Sequence, residues 1–182
     1  NAELLNNLAK AQHGSGLFSD AVISYEKLNR LVPNNPQILT DLATSYAKSK
    51  NFDKAFALYD RVIELQPDYF LVWSNRGNLL AELTFNEEAL VSYQKSLELN
   101  SNYPEAWTNY GNSLFNLGRF EEAKLAHEKA LSLDPNYAEA WLNHGNALLE
   151  LKSTEEAHKS FKRAYSLKPL LPFLVGQLLS TK

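Results

Sequence analysis

The chain has 182 residues, 45% of them apolar, and a formal net charge of −3. With no basic run, that charge gives no strong attraction to nucleic acid or to an anionic membrane. Cysteine is absent, which excludes a disulfide framework and thiol catalysis.

No apolar run is long enough to span a bilayer. A disulfide-free core of this size suits the cytoplasm. Methionine is absent and the chain starts at Asn1, so the sequence reads as a piece of a longer protein.

Five units of 34 residues tile the chain without insertion: Ala2–Asn35, Pro36–Tyr69, Phe70–Tyr103, Pro104–Tyr137 and Ala138–Leu171. A fixed period of this size indicates stacked supersecondary units. Each unit carries two segments with apolar residues at helical spacing. In the fourth, the first segment holds Ala106, Trp107, Tyr110, Leu114 and Leu117. The second holds Phe120, Ala123, Leu125, Ala130, Leu131 and Leu133. Gly118 between them can end the first helix at low steric cost. Asp134-Pro135-Asn136 closes the second, because the residue before a proline disfavours the helical region.

Small residues recur in phase. Ala9, Ala43, Gly77, Gly111 and Gly145 hold one place, and Ala21, Ala55, Ala89, Ala123 and Ala157 another. A mid-helix glycine costs about 1 kcal/mol relative to alanine, so its recurrence predicts that a second helix crosses closely there. Large residues surround these contacts: Trp73, Trp107 and Trp141 at one place, with Leu5 and Leu39 before them, and Tyr25, Tyr59, Tyr93, His127 and Phe161 at another. A buried indole at Trp107 would make Trp107→Ala cost roughly 3–5 kcal/mol.

This Trp…Gly…Ala…aromatic…Pro pattern resembles the tetratricopeptide repeat. Pro33, Pro67, Pro135 and Pro169 hold its closing place, and Ser101 departs from it. The resemblance implies an all-α, right-handed superhelical solenoid of five antiparallel helix pairs, with the first helix of each pair lining a concave face.

The last segment, Pro172–Lys182, reads PFLVGQLLSTK. Pro172 suits the first turn of a helix. Phe173, Leu174, Val175, Leu178 and Leu179 make it too apolar for a fully solvated cap. The expectation is a C-terminal helix that packs on the fifth unit and either caps the array or leads into a further domain. Self-association through it is the other reading.

No catalytic constellation, phosphate loop or metal-ligand spacing is present, so neither catalysis nor a cofactor is expected of this stretch. His127 stands where other units have Tyr or Phe, and His144 where they have Leu8, Leu42 and Tyr110. Both read as packing residues rather than metal ligands. Glu87-Glu88, Glu121-Glu122 and Glu155-Glu156 fall at the start of each second helix, where acidic residues favour the positive helix end.

The informative polar pattern is on the first helices. Asn75, Asn109 and Asn143 recur in phase, continued backwards by Asp41 and Asn7. Three residues further on come Asn78, Asn112 and Asn146, with Thr44 and Lys10 before them. A spacing of three puts both sets on one helix face. A side-chain amide offers a donor and an acceptor, matching those of a peptide unit. The candidate peptide-binding residues are therefore Asn7, Asp41, Asn75, Asn78, Asn109, Asn112, Asn143 and Asn146, and the expected partner is a protein or extended peptide. The alternative is that these amides bond between helices and only set the repeat geometry. The place before the ladder holds Asn6, Thr40, Ser74, Thr108 and Leu142, so the basic clamp that some repeats use for a terminal carboxylate is missing.

The asparagines resemble the ladder in the repeat domain of O-linked N-acetylglucosamine transferases. The run Pro172, Phe173, Leu174, Gly176, Leu178 and Leu179 is similar to the junction in the bacterial SPINDLY-like members. That resemblance implies a partner-recruiting region of a glycosyltransferase, whose catalytic residues are not in this sequence. A general scaffold or adaptor unrelated to glycosylation is the competing function.

Overall fold

The computed structural model describes residues 1–169. Ten helices account for its regular structure, and no strand occurs among the described residues. The first helix of each unit is α1 (Ala2–Gly14), α3 (Pro36–Lys48), α5 (Phe70–Glu82), α7 (Pro104–Asn116) and α9 (Ala138–Glu150). The second is α2 (Phe18–Leu31), α4 (Phe52–Leu65), α6 (Asn86–Leu99), α8 (Phe120–Leu133) and α10 (Thr154–Leu167). The expectations for Pro172–Lys182, including self-association, lie outside the described residues.

The chain divides into two compact units, Asn1–Leu79 and Leu80–Lys182. In the first, α1 packs on α2, α2 on α3, and α3 on α4. In the second, α6 packs on α7, α7 on α8, α8 on α9 and α9 on α10. The first helices α7 and α9 also touch directly.

The turn within each pair is the same device five times. Gly16, Lys50, Thr84, Gly118 and Lys152 all have positive φ, between 59° and 77° in the wider set of such residues. The following amide reaches back five residues: Leu17 to Gln12, Asn51 to Tyr46, Phe85 to Leu80, Arg119 to Leu114 and Ser153 to Leu148, at 2.8–2.9 Å. This is the bond that closes a Schellman motif and satisfies the last carbonyls of the first helix. Gly118 ends its helix as its sequence position suggests. Three units place a residue with a Cβ in the same left-handed conformation, and Thr84 is β-branched as well.

The small positions are where the helices of a pair meet. Ala9, Ala21, Ala43, Ala55, Ala89, Ala123 and Ala157 are fully buried. A Cβ added to Gly145 would stand 2.5 Å from Cε1 of Phe161, and one added to Gly111 would stand 2.6 Å from Cε1 of His127. The crossing helix therefore lays an aromatic ring on the glycine backbone. In the second unit, Leu114, Ala123, Ala126 and Ala147 form a buried cluster with Trp107, Tyr110 and Phe115 packed against it.

The tryptophans are half-buried rather than enclosed. Each indole Nε1–H donates to a backbone carbonyl six residues earlier: Trp73 to Pro67 (3.0 Å), Trp107 to Ser101 (2.9 Å) and Trp141 to Pro135 (2.9 Å). The indole thus pins the turn that enters its helix. Ser101 can replace proline because the partner is the carbonyl and not the ring.

Two stability outcomes follow from these geometries. Trp107→Ala should cost roughly 2–3 kcal/mol, below the value for an enclosed indole, and Trp107→Phe about 1 kcal/mol for the lost bond, both read from urea midpoints. Thr84→Gly removes a β-branched side chain from a left-handed turn and should raise stability by about 0.5–1 kcal/mol, seen as a higher midpoint at unchanged m-value.

Candidate functional site

The candidate residues lie on the first helices, and the two compact units treat them differently. On α1, Asn7 is exposed. On α3, Asp41 is half-buried. Its Oδ1 accepts from Gln37 Nε2 at 2.9 Å, while its Oδ2 is buried without a hydrogen-bond partner. Burial raises the Asp41 pKa above the ordinary carboxylate value, offset in part by the Gln37 bond, Lys10 and His13. The hydroxyl of Tyr69 donates to Gln37 in turn. Asp41 is therefore turned into a local polar network. Asn75 is half-buried and Asn78 exposed, both on α5. Thr44, at the Asn78 position of the second repeat, bonds the Tyr59 hydroxyl (3.1 Å).

In the second unit the pattern closes on itself. Asn112 on α7 and Asn143 and Asn146 on α9 line one cavity of about 300 Å³, together with Phe115, Asn116 and His127. Asn109 is half-buried on the same helix as Asn112. Asn78 and Asn109 each have a partner within the fold. The structure thus brings Asn112, Asn143 and Asn146 to one place.

His127 and Asn116 were not among the peptide-binding candidates. His127 is fully buried, as its repeat position implied, yet neither ring nitrogen has a hydrogen-bond partner. Burial, reinforced by nearby His144, pushes its pKa down to about 4, so the ring is neutral at pH 7. The available signal was the substitution of a shorter, two-nitrogen ring for Tyr at the aromatic place. Asn116 carried no signal, because it lies outside the repeating asparagine positions.

His144 bonds Ser160 Oγ through Nδ1 at 3.0 Å, and its Nε2 lies 3.5 Å from Glu128 Oε1. Burial lowers the His144 pKa, and Glu128 acts in the opposite direction. This outlines a Ser–His–Glu arrangement, but Ser160 is 3% exposed and donates its own proton to the Glu156 carbonyl (3.1 Å). An attacking hydroxyl needs access to substrate, and this one is enclosed between α9 and α10. His13 similarly bonds Ser45 Oγ at 2.8 Å. No group of three or more metal-ligating side chains occurs among the described residues. None of the described helices is long and apolar enough to cross a membrane.

Thr40, Ser74 and Thr108, the places immediately before the ladder, are buried. Thr40 and Thr108 donate to the carbonyls of Pro36 (2.7 Å) and Pro104 (3.0 Å). A base at those places would point into the core.

Tetratricopeptide-repeat family models match residues 92–124 and 138–169, and a related TPR repeat model matches residues 111–152. A protein prenyltransferase alpha subunit repeat matches residues 52–83. Among solved structures, MamA is similar at 23% identity with a TM-score of 0.75, over 89% of this chain and 95% of that one. A MamA fragment from Desulfovibrio magneticus RS-1 has 19% identity and a TM-score of 0.76, over 94% and 97%. The chain has the tetratricopeptide-repeat fold. YrrB, described as a tetratricopeptide-repeat protein with an unusual peptide-binding site, shares the fold at 22% identity and a TM-score of 0.68, over 93% of this chain and 87% of that one. A search of curated proteins finds no significant match. These matches add nothing to the glycosyltransferase connection, which rests on the asparagines and the run at 172–179 alone.

The buried imidazole gives the tetratricopeptide-repeat fold here a pH dependence. Folded His127 has a pKa of about 4, against 6.5 for an ordinary imidazole. Between these values the unfolded chain binds more protons. Stability is therefore full above about pH 6.5, falls as the pH drops toward 4 and then levels, a loss on the order of 3 kcal/mol from this residue. His127→Phe should flatten the fall in urea midpoint between about pH 7 and pH 4.5, leaving the smaller share from His13 and His144.

Proposed function

We propose that this chain is a non-catalytic scaffold that binds extended polypeptide along the asparagine-bearing faces of its first helices. The observation that carries this reading is the convergence of Asn112, Asn143 and Asn146, from two touching first helices, on one solvent-open cavity. Amides on such a face can serve successive peptide groups with little regard to side chains. Each bond adds a net 0.5–1.5 kcal/mol or so, and affinity accumulates over several. The peptide-binding site of YrrB, which shares the fold, is consistent with it.

Asn75, Asn78 and Asn7 on the first unit's helices fit the same use, with Asn7 and Asn78 exposed. Asp41 fits it least, because one carboxylate oxygen is buried. A role in recruiting partners for an attached glycosyltransferase is a narrower version of this reading, favoured only by the sequence, at the recurring asparagines and at Pro172–Leu179.

Dodecapeptides selected from a random library on the full chain provide the test. Asn143→Ala with Asn146→Ala should weaken them by about tenfold, as expected for two lost bonds, with helicity and melting temperature unchanged. If no peptide is selected, or if the double variant binds as before, the reading is wrong. Early melting of the double variant would make the asparagines structural.

A further inference from the structure

The second helices carry a surface pattern that the asparagine face does not use. On α8, Glu121, Leu125 and Lys129 follow at steps of four, so they share one face of the helix. All three are exposed, Leu125 by 60%. On α6, Glu87, Val91 and Lys95 repeat the order, with Val91 exposed by 67%. Each helix thus presents an acid, an apolar side chain and a base to solvent, in that order.

The fifth repeat shows the same place without its apolar residue. There Lys159 stands where Leu125 does, and its ammonium bonds Glu155 at 2.9 Å. Leucine in place of lysine therefore has two effects on α8. It exposes a large apolar side chain, and it takes from Glu121 the partner that Glu155 has one repeat later. Among the described residues neither Glu121 nor Lys129 is in an ion pair. The helix dipole accounts for an acid at Glu121, but not for the exposed leucine or for the unpaired base beyond it.

A surface that covers this line must be apolar in the middle, basic against Glu121 and acidic against Lys129. A second copy of the line, turned end for end, has that order. Set antiparallel with Leu125 on Leu125, the Glu121 of each copy stands opposite the Lys129 of the other. Both charges lie about 6 Å along the helix axis from Leu125, so the two ion pairs form together. The parallel arrangement is excluded, because it sets acid on acid and base on base. The line on α6 obeys the same rule.

We propose that the outer face of α8 is a contact between two copies of this chain, related by a two-fold axis at Leu125 and closed by reciprocal Glu121–Lys129 pairs. A two-fold contact needs a patch that complements itself, and this line does. The contact goes beyond the polypeptide-binding reading and uses none of its asparagines. It is small against the roughly 1,200–2,000 Å² of a stable interface, so half-association is expected on the order of 100 µM.

Sedimentation equilibrium of the full chain, from about 10 µM to about 1 mM to suit so small a contact, provides the test. Leu125→Lys copies the fifth repeat, so it should fold, and it should remove the association. Glu121→Lys sets two bases together and Lys129→Glu two acids, so each alone should weaken association by about tenfold or more. Mixed one to one, these two variants should associate again, since one copy is then basic at both ends of the line and the other acidic. Added salt should weaken the mixed pair. Circular dichroism and melting temperature establish that each variant is folded.

A parent chain that stays monomeric over the whole range overturns the proposal. So does a Leu125→Lys chain that associates like the parent, which would put the contact on another surface. A mixture of the two charge variants that stays monomeric would overturn the antiparallel pairing and the proposal with it.

Discussion

The contact on which the second compact unit depends is a ring laid on a helix backbone. Phe161 on Gly145 and His127 on Gly111 set the separation of the paired helices, and at neither glycine does a Cβ fit without movement. Close approach brings dispersion contacts from both backbones into reach, and it places the alanines of the second helices in full burial. The paired helices, the buried cluster around Leu114 and the direct meeting of α7 with α9 all sit on this spacing. So does the cavity, since the ring that holds the helices together also forms its floor.

Much of this was legible in the sequence because the repeat supplies its own internal comparison. Gly111 beside Gly145, or Trp107 beside Trp141, shows which residue types a place accepts. Helix limits, small-residue contacts and the burial of His127 and His144 could be read that way. Other features could not. The indole bond to a carbonyl six residues earlier leaves no mark on side-chain identity at the accepting position, and it makes the tryptophans less enclosed than their size suggested. The left-handed turn was visible at Gly118 but hidden at Lys50, Thr84 and Lys152, where the surrounding helix ends impose it.

The site was legible only in part, for a related reason. The asparagines recur in phase and announce themselves, but phase says nothing about which of them share a space. Asn112, Asn143 and Asn146 meet because α7 and α9 touch; Asp41, at an equivalent place, is drawn into a network with Gln37 and Tyr69. The departure from the repeat at His127 was the more telling residue. Its ring is buried with neither nitrogen hydrogen-bonded, and that is a property of the space around it rather than of its place in the repeat.

The indole latch has a consequence for how such an array changes over generations. At the closing position the fold reads only a main-chain oxygen, which every amino acid supplies. Proline there biases the preceding residue away from helix, yet the third repeat ends with Ser101 and keeps its Trp107 contact at 2.9 Å. The closing residue can therefore drift while the register of the next helix is held from the other side. The donor belongs to the tryptophan side chain alone, so the latch is confined to the repeats that carry Trp73, Trp107 and Trp141 and is absent where Leu5 and Leu39 hold the place.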